Sequence, residues 1–304
     1  MKTNILGQLK KKTTKRIIIG IFIVLGLIIL TEVLLRCIWG FGTMPLYVES
    51  EKYEYMYAPN QKMVRFGNYF YTNSYCQRSQ EPDSTRCIVL GIGDSVINGG
   101  SPTDNDSLAT NIVSRETDFQ MLNISAGAWS TENCAAYIRE WGTFNAKAIF
   151  ALVSGGNACE VMDFAPTVGI HRSFPNKQYC CAISEVINRY LIPRLFNLVD
   201  EQEQTIERKK KKFSKGWDEL KSIADNADIP LIIILHANIF EIRNKEYNYL
   251  GDTIEKWAAE NNIRLIKDIT YLNEKDYRDK IHINNSGQRV IAELIKQELD
   301  LLFN

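Results

Sequence analysis

Ser95 has the clearest chemical setting in this chain. It lies in 86–100, RCIVLGIGDSVINGG, where the apolar run Ile88 to Leu90 gives way to Gly91-Ile92-Gly93 and then to Asp94 and Ser95. An apolar run bounded by glycines reads as a buried parallel strand that stops at a tight turn. Open α/β sheets bind ligands outside the carboxyl ends of their strands, so a hydroxyl there is placed to act as a nucleophile. A serine nucleophile needs a base, and the chain holds three histidines. His171 sits beside Arg172 in an irregular stretch, and His236 ends an apolar run. His282 belongs to Asp279-Lys280-Ile281-His282, just before the last helical pattern. An aspartate three residues before a histidine on one loop can turn back to accept the Nδ1–H bond, fixing the tautomer and stabilising the imidazolium. Nothing comparable flanks His171 or His236. Ser95, His282 and Asp279 are therefore the candidate nucleophile, base and orienting acid.

Acyl transfer also needs donors aimed at the oxyanion. The candidates are the backbone N–H of Ser95, the backbone N–H of Gly127 and the side-chain amide of Asn157, each after a strand-like run. Strands are predicted at 86–92, 119–124, 147–153, 229–235 and 263–269. Helices are predicted at 106–116 (capped by Asp106 or Ser107), 131–144 (capped by Thr131 or Ser130), 184–227, 253–261 and 286–302. Strands alternating with helices imply a parallel sheet covered on both faces. Residues 158–183, with Pro166 and Pro175, are predicted irregular, as a lid or substrate wall. Glu201 to Lys215 carries an acidic block and then a basic one, and reads as a solvated helix face with Glu-to-Lys pairs.

Four segments resemble the blocks of the SGNH/GDSL hydrolase superfamily. Gly93-Asp94-Ser95 matches the nucleophile block, and Asn123-Ile124-Ser125-Ala126-Gly127 resembles the glycine block. Gly155-Gly156-Asn157 is similar to Gly-x-Asn-Asp, and Asp279-Lys280-Ile281-His282 matches Asp-x-x-His. The order is right, and the blocks run from about residue 86 to the end of the sequence given. The resemblance implies a flavodoxin-like three-layer α/β/α domain of about five parallel strands. It also implies Ser95 as nucleophile, His282 as base, Asp279 as its orienter, and an oxyanion hole from the Ser95 N–H, the Gly127 N–H and the Asn157 side chain. Two departures stand out. Val96-Ile97 follows Gly-Asp-Ser in place of the Leu of the shorter motif, and Ala158 stands where the family usually has an Asp that supports the Asn.

Ahead of these blocks, Lys10, Lys11, Lys12, Lys15 and Arg16 precede an apolar run from Ile17 to Leu35. Its 19 residues would span roughly 28 Å as a helix, close to the ~30 Å hydrocarbon core. No small-residue cleavage site follows, so an uncleaved signal anchor is expected, with the basic N-terminus cytoplasmic and the rest outside. The chain accordingly divides into a basic N-terminus (1–16), a transmembrane anchor (17–38), a lead-in segment (39–85) and the main domain (86–304). The lead-in, with Gly67-Asn68 as a hairpin turn, is expected to pack on that domain. Its Ala58-Pro59-Asn60, with Phe66-Gly67-Asn68 and Thr72-Asn73, also resembles the region before the domain in membrane-anchored bacterial family members, which often accompany cell-surface polysaccharide pathways.

The 304 residues carry 36 basic and 36 acidic side chains, so nothing indicates a general attraction to nucleic acid. Seven cysteines occur without CxxC or zinc-type spacing, and disulfides are permitted outside the cytoplasm. The expected activity is a serine esterase cleaving an O-acetyl or other short acyl ester on a glycan, with no metal or cofactor required. Three rivals use the same residues differently. They are an O-acyltransferase with a sugar acceptor, a non-catalytic tethered glycan-binding or assembly protein, and an enzyme acting on membrane lipid.

Overall fold

The computed structural model describes residues 2–196 and 208–303. The chain opens with one unbroken helix, α1 (Lys2–Trp39). Its section Lys12–Trp39 is long and apolar enough to cross a membrane, and none of that window is buried against the rest of the chain. Gly40 ends the helix at φ +70, with bonds from Gly40 N–H to Arg36 O and from Phe41 N–H to Leu35 O. This is a glycine-terminated cap, and here it must be glycine: a Cβ would meet Val64 O at 2.2 Å.

Two antiparallel hairpins follow, β1 (Tyr47–Ser50) with β2 (Glu54–Tyr57), and β3 (Lys62–Arg65) with β4 (Asn68–Tyr71). The second turns at Phe66-Gly67, both with positive φ, close to the predicted place. Tyr53, Tyr55, Met56, Tyr57 and Phe70 are buried in the same apolar cluster as Leu90, Leu122 and Leu235 of the main sheet. The lead-in therefore completes the core.

From residue 87 the elements alternate. β5 (Cys87–Gly93) is followed by α2 (Ser95–Asn98), α3 (Ala109–Glu116), β6 (Phe119–Ser125), α4 (Thr131–Trp141) and β7 (Ile149–Ser154). A helical segment α5 spans 182–195, made of an α-turn (Ala182–Val186), a π-turn (Ile187–Leu191) and a last α-turn (Ile192–Leu195). Then come α6 (Gly216–Ala227), β8 (Leu231–His236), α7 (Ile239–Asn244), α8 (Tyr249–Glu260), β9 (Arg264–Lys267) and α9 (Asn285–Phe303). The five strands are parallel in the order β6-β5-β7-β8-β9. That is the doubly wound flavodoxin-like order, whose ligands bind where the winding reverses, beside the first strand. Val89, Phe150, Leu152, Ile232 and Ile234 pack with residues of α3 and α9 on one face. Leu90, Ile92, Leu122, Ala151, Ile233 and Leu235 pack with residues of α4, α6 and α8 on the other, giving three layers.

Several expectations shift. The helix predicted at 106–116 begins at Ala109, because Asn105–Ser107 is a 3-10 turn capped by Asp104 rather than by Asp106 or Ser107. The helix predicted at 131–144 stops at Trp141, where Gly142 turns the chain at φ +82. The helix predicted over 184–227 is interrupted, and 197–207, which include the acidic block, lie outside the described residues. The basic run Lys209–Lys212 is not a helix face. It runs antiparallel to 159–161, through bonds from Val161 N–H to Lys209 O and from Lys211 N–H to Cys159 O. Arg208 and Ser214 are both buried at its ends, which holds the intervening residues away from helical geometry. All seven cysteines are free thiols.

A buried ion pair joins the end of α1, the second hairpin and α5. Arg65 and Glu185 side chains are 4% and 0% exposed. Arg65 also donates to Gly40 O and Thr43 O, and Glu185 accepts from Gly42 N–H at 2.6 Å. Removing one partner strands the other charge. Arg65→Met is expected to cost about 3–5 kcal/mol, and Arg65→Met/Glu185→Leu should recover much of it. Thermal unfolding of the two variants in detergent checks this.

Candidate active site

Ser95 is the first residue of α2, directly after β5. Asp94 caps that helix, accepting from Val96 N–H at 2.9 Å. The turn works only because Gly93 lies against β7, where a Cβ would meet Leu152 O at 2.3 Å. Burial raises the Asp94 carboxyl above its ordinary range, partly offset by the Val96 N–H and by the neighbouring His282 and His236.

His282 Nε2 is 2.8 Å from Ser95 Oγ, although the two residues are 187 positions apart. His282 Nδ1 is 2.8 Å from Asp279 Oδ2. Asp279 Oδ1 also accepts from the backbone N–H of Ile281 at 3.0 Å and of His282 at 2.8 Å. Burial would raise the Asp279 carboxyl, but these N–H bonds and the His282 charge outweigh it, and the carboxyl sits below its ordinary value. With Nδ1–H directed at Asp279, Nε2 is the acceptor for the Ser95 hydroxyl. Serine, histidine and aspartate are thus in line, in the arrangement that deprotonates a serine as it attacks.

The three expected oxyanion donors are placed differently from one another. The Ser95 N–H opens the first turn of α2, where helix N–H groups have no intrahelical partner. Gly127 follows β6 and lines the same cleft, with Phe174 at 3.4 Å from where its Cβ would be. Asn157 is 2% exposed and does not line the cleft. Its Oδ1 accepts from Ser154 N–H at 2.9 Å, and its Nδ2 donates to Trp129 O at a long 3.3 Å. The cleft itself is about 370 Å³. Tyr47, Tyr57, Phe66, Phe174 and Tyr190 line it around Ser95 and His282, with Ser173 and Pro175 of the irregular stretch forming one wall.

Three supports were not foreseen from the sequence. His236 is fully buried, with Nδ1 2.6 Å from Asp268 Oδ2 and Nε2 2.8 Å from Ile281 O, and its ring stacks on Tyr277. It therefore holds the loop that carries Asp279 and His282 from behind. A signal existed: His236 and Asp268 each stand at the end of adjacent predicted strands. Arg78, also buried, donates to Asn98 O, Gly100 O and Thr103 O, fixing the loop after the serine helix. Burial pushes its guanidinium down to about 10. Arg208 pairs with Glu54 and donates to Ala128 O and to the Tyr55 hydroxyl, which in turn donates to Gly127 O. Nothing in the sequence links Glu54 to Arg208.

No protein-family model matches the chain, and no curated protein matches it. Among solved structures, the chain is similar to a lipolytic protein of the G-D-S-L family from Veillonella parvula DSM 2008, at 14% identity over 69% of this chain and 97% of that one, with a TM-score of 0.40. It is similar to a GDSL-like lipase from Bacteroides thetaiotaomicron VPI-5482, at 13% identity over 73% and 92%, with a TM-score of 0.40. A carbohydrate acetylesterase family member from Sinorhizobium meliloti matches at 12% identity over 71% and 98%, with a TM-score of 0.39.

Burial alone would pull the His236 ring towards its neutral form, but the Asp268 carboxylate and the Ile281 carbonyl outweigh that and raise its pKa above the ordinary value. A raised folded-state value means that the pair's stabilisation is complete below the unfolded histidine pKa of about 6.5 and is lost as pH rises through the folded value. The stability gap between the wild type and His236→Gln should therefore be largest near pH 6 and narrow towards pH 9. Urea unfolding across that range checks it; a gap that widens with pH would contradict the charged pair.

Proposed function

We propose that this chain is a serine esterase of the SGNH/GDSL type, tethered by α1, that cleaves an O-acetyl or other short acyl ester on a cell-surface glycan. The single observation that carries the reading is the line from Ser95 Oγ to His282 Nε2 and from His282 Nδ1 to Asp279, at the carboxyl edge of the sheet. Ser95 attacks the ester carbonyl while His282 takes its proton. Asp279 stabilises the imidazolium and keeps the ring in register. His282 then passes the proton to the leaving alcohol, and the bond between carbonyl carbon and alcohol oxygen breaks. Water, activated by His282, attacks the acyl-enzyme and restores Ser95.

The oxyanion is held by the Ser95 and Gly127 N–H groups, with Asn157 as third donor once its amide exchanges the bond to Trp129 O for the substrate oxygen. The cleft is open at the rim, where the exposed rings of Phe66 and Tyr190 offer surface on which a sugar can stack. The basic cluster that precedes α1 supports a domain outside the cytoplasmic membrane, by the positive-inside rule. Neither reacting group calls for a metal or cofactor.

A fluorophosphonate probe on the full chain in detergent tests the nucleophile. Wild type should label and Ser95→Ala should not; labelling that survives Ser95→Ala would sink the assignment. His282→Ala should lower acetyl-ester hydrolysis by about 10⁴–10⁶ in kcat with little change in KM. Asn157→Ala should lower kcat by about 10²–10³, the usual loss for one oxyanion donor. A smaller loss would leave Asn157 as a brace for the Trp129 carbonyl.

A further inference from the structure

The segment α5 turns its apolar side outward. Glu185 and Pro193 are buried, and Arg189, midway between them, lines the cleft. Ile187, Leu191 and Leu195 lie on the opposite side and are exposed, Leu195 by 75%. Tyr190, Ile192 and Phe196 widen this surface, Phe196 being 69% exposed. A helix facing water carries polar residues on that side. A contiguous apolar surface of this kind marks an interaction face.

Where α5 is fixed identifies what covers it. Glu32 lies inside the apolar run of α1, seven residues before Trp39, or roughly 10 Å along the helix. Its Oε1 accepts from Ala182 N–H at 2.8 Å and its Oε2 from Ile183 N–H at 2.9 Å. Arg36 Nε donates to the same carboxylate at 2.6 Å. The first turn of α5 is thus capped by a residue of the anchor. Further along, Glu185 accepts from Gly42 N–H, and Tyr190 packs edge-on against Phe41 with ring centroids 5.6 Å apart. These bonds set α5 beside the last two turns of α1. A bilayer crossed by α1 must then reach α5.

We propose that α5 lies in the outer interface of a phospholipid bilayer, with Ile187, Leu191, Leu195 and Phe196 entering the boundary between headgroups and acyl chains. This rests on the reading of α1 as a membrane anchor and is independent of the chemistry assigned to Ser95. The occupant is lipid because the surface continues the apolar face of the anchor itself, through exposed Ile38 and Trp39. Arg194, exposed on the same segment, supplies a cation at headgroup level. Arg189 and Tyr190 line the cleft, so the mouth of the active site is held at the membrane surface. The substrate class sharpens accordingly: an acyl ester borne by a molecule held at that surface.

The test uses the full chain in vesicles of phosphatidylethanolamine and phosphatidylglycerol. The photoreactive residue p-benzoyl-phenylalanine is placed singly at Val24, Leu191, Leu195 or Leu301, all exposed positions. Val24 reports the anchor. Leu301 is equally apolar but lies near the end of α9, where Phe303 contacts Phe119 at the amino end of β6, away from the site. Lipid adducts at Leu191 and Leu195 should exceed those at Leu301 by about tenfold and approach those at Val24. Yields at Leu191 and Leu195 no higher than at Leu301, with Val24 labelled, would overturn the proposal and leave the anchor standing. An unlabelled Val24 would overturn both together. Esterase activity is not the readout, so failure here leaves the triad untouched.

Discussion

The carboxyl end of β5 meets β7 with no space for a side chain between them. A Cβ on Gly93 would sit 2.3 Å from Leu152 O, and one on Gly91 would meet Met121 and Thr110 side-chain atoms at 2.8 Å. Close strand approach at this point lets the chain turn sharply into α2 and lifts Ser95 onto the rim at the reversal of the sheet's winding. Asp279 and His282 are then delivered from far along the sequence, because α9 must pack back along β5, β7 and β8 on the same face. Ser95 and His282 thus meet through the packing of one helix, with no local sequence contact between them.

The charges buried around this frame do positional work. Arg78 fixes the loop after the serine through three carbonyls, Arg208 with Glu54 braces the strap at Gly127, and His236 with Asp268 backs the loop at 279–282. Two of the three draw on the lead-in segment, through Arg78 itself and through Glu54 of β2. An unpaired buried charge is expensive, so each group is held wherever its acceptors are. That geometric strictness is what a site needing sub-ångström placement requires.

Much of this was legible in the sequence. Apolar runs alternating with helical patterns gave all five strands, the first three of them ending in glycine-containing turns, and the Asp279–His282 spacing singled out one histidine of three. What was hidden depended on contacts across long separations. Glu54 and Arg208 carry no mark of each other, and His236 reads as the last residue of a strand until Asp268 is seen beside it. The extended path of 209–211 was masked by lysines that are as common on helices as off them. Asn157 occupies the expected strand end, yet its amide direction depends on the neighbouring Trp129 carbonyl, which no motif encodes.

Between the end of α1 and the first strand there is almost no slack. Gly40 is closed against Val64, Trp39 O accepts from Phe66 N–H, and Glu32 is bonded into α5. A tether of flexible residues would let a catalytic domain sweep a volume; this junction is a mount. On the proposed membrane-bound reading it fixes altitude as well as orientation, so the reach of the cleft away from the bilayer is no greater than the domain's own dimensions. For the proposed esterase, esters beyond that height would be met only if their carrier bends back, and encounters would be governed by lateral diffusion in two dimensions.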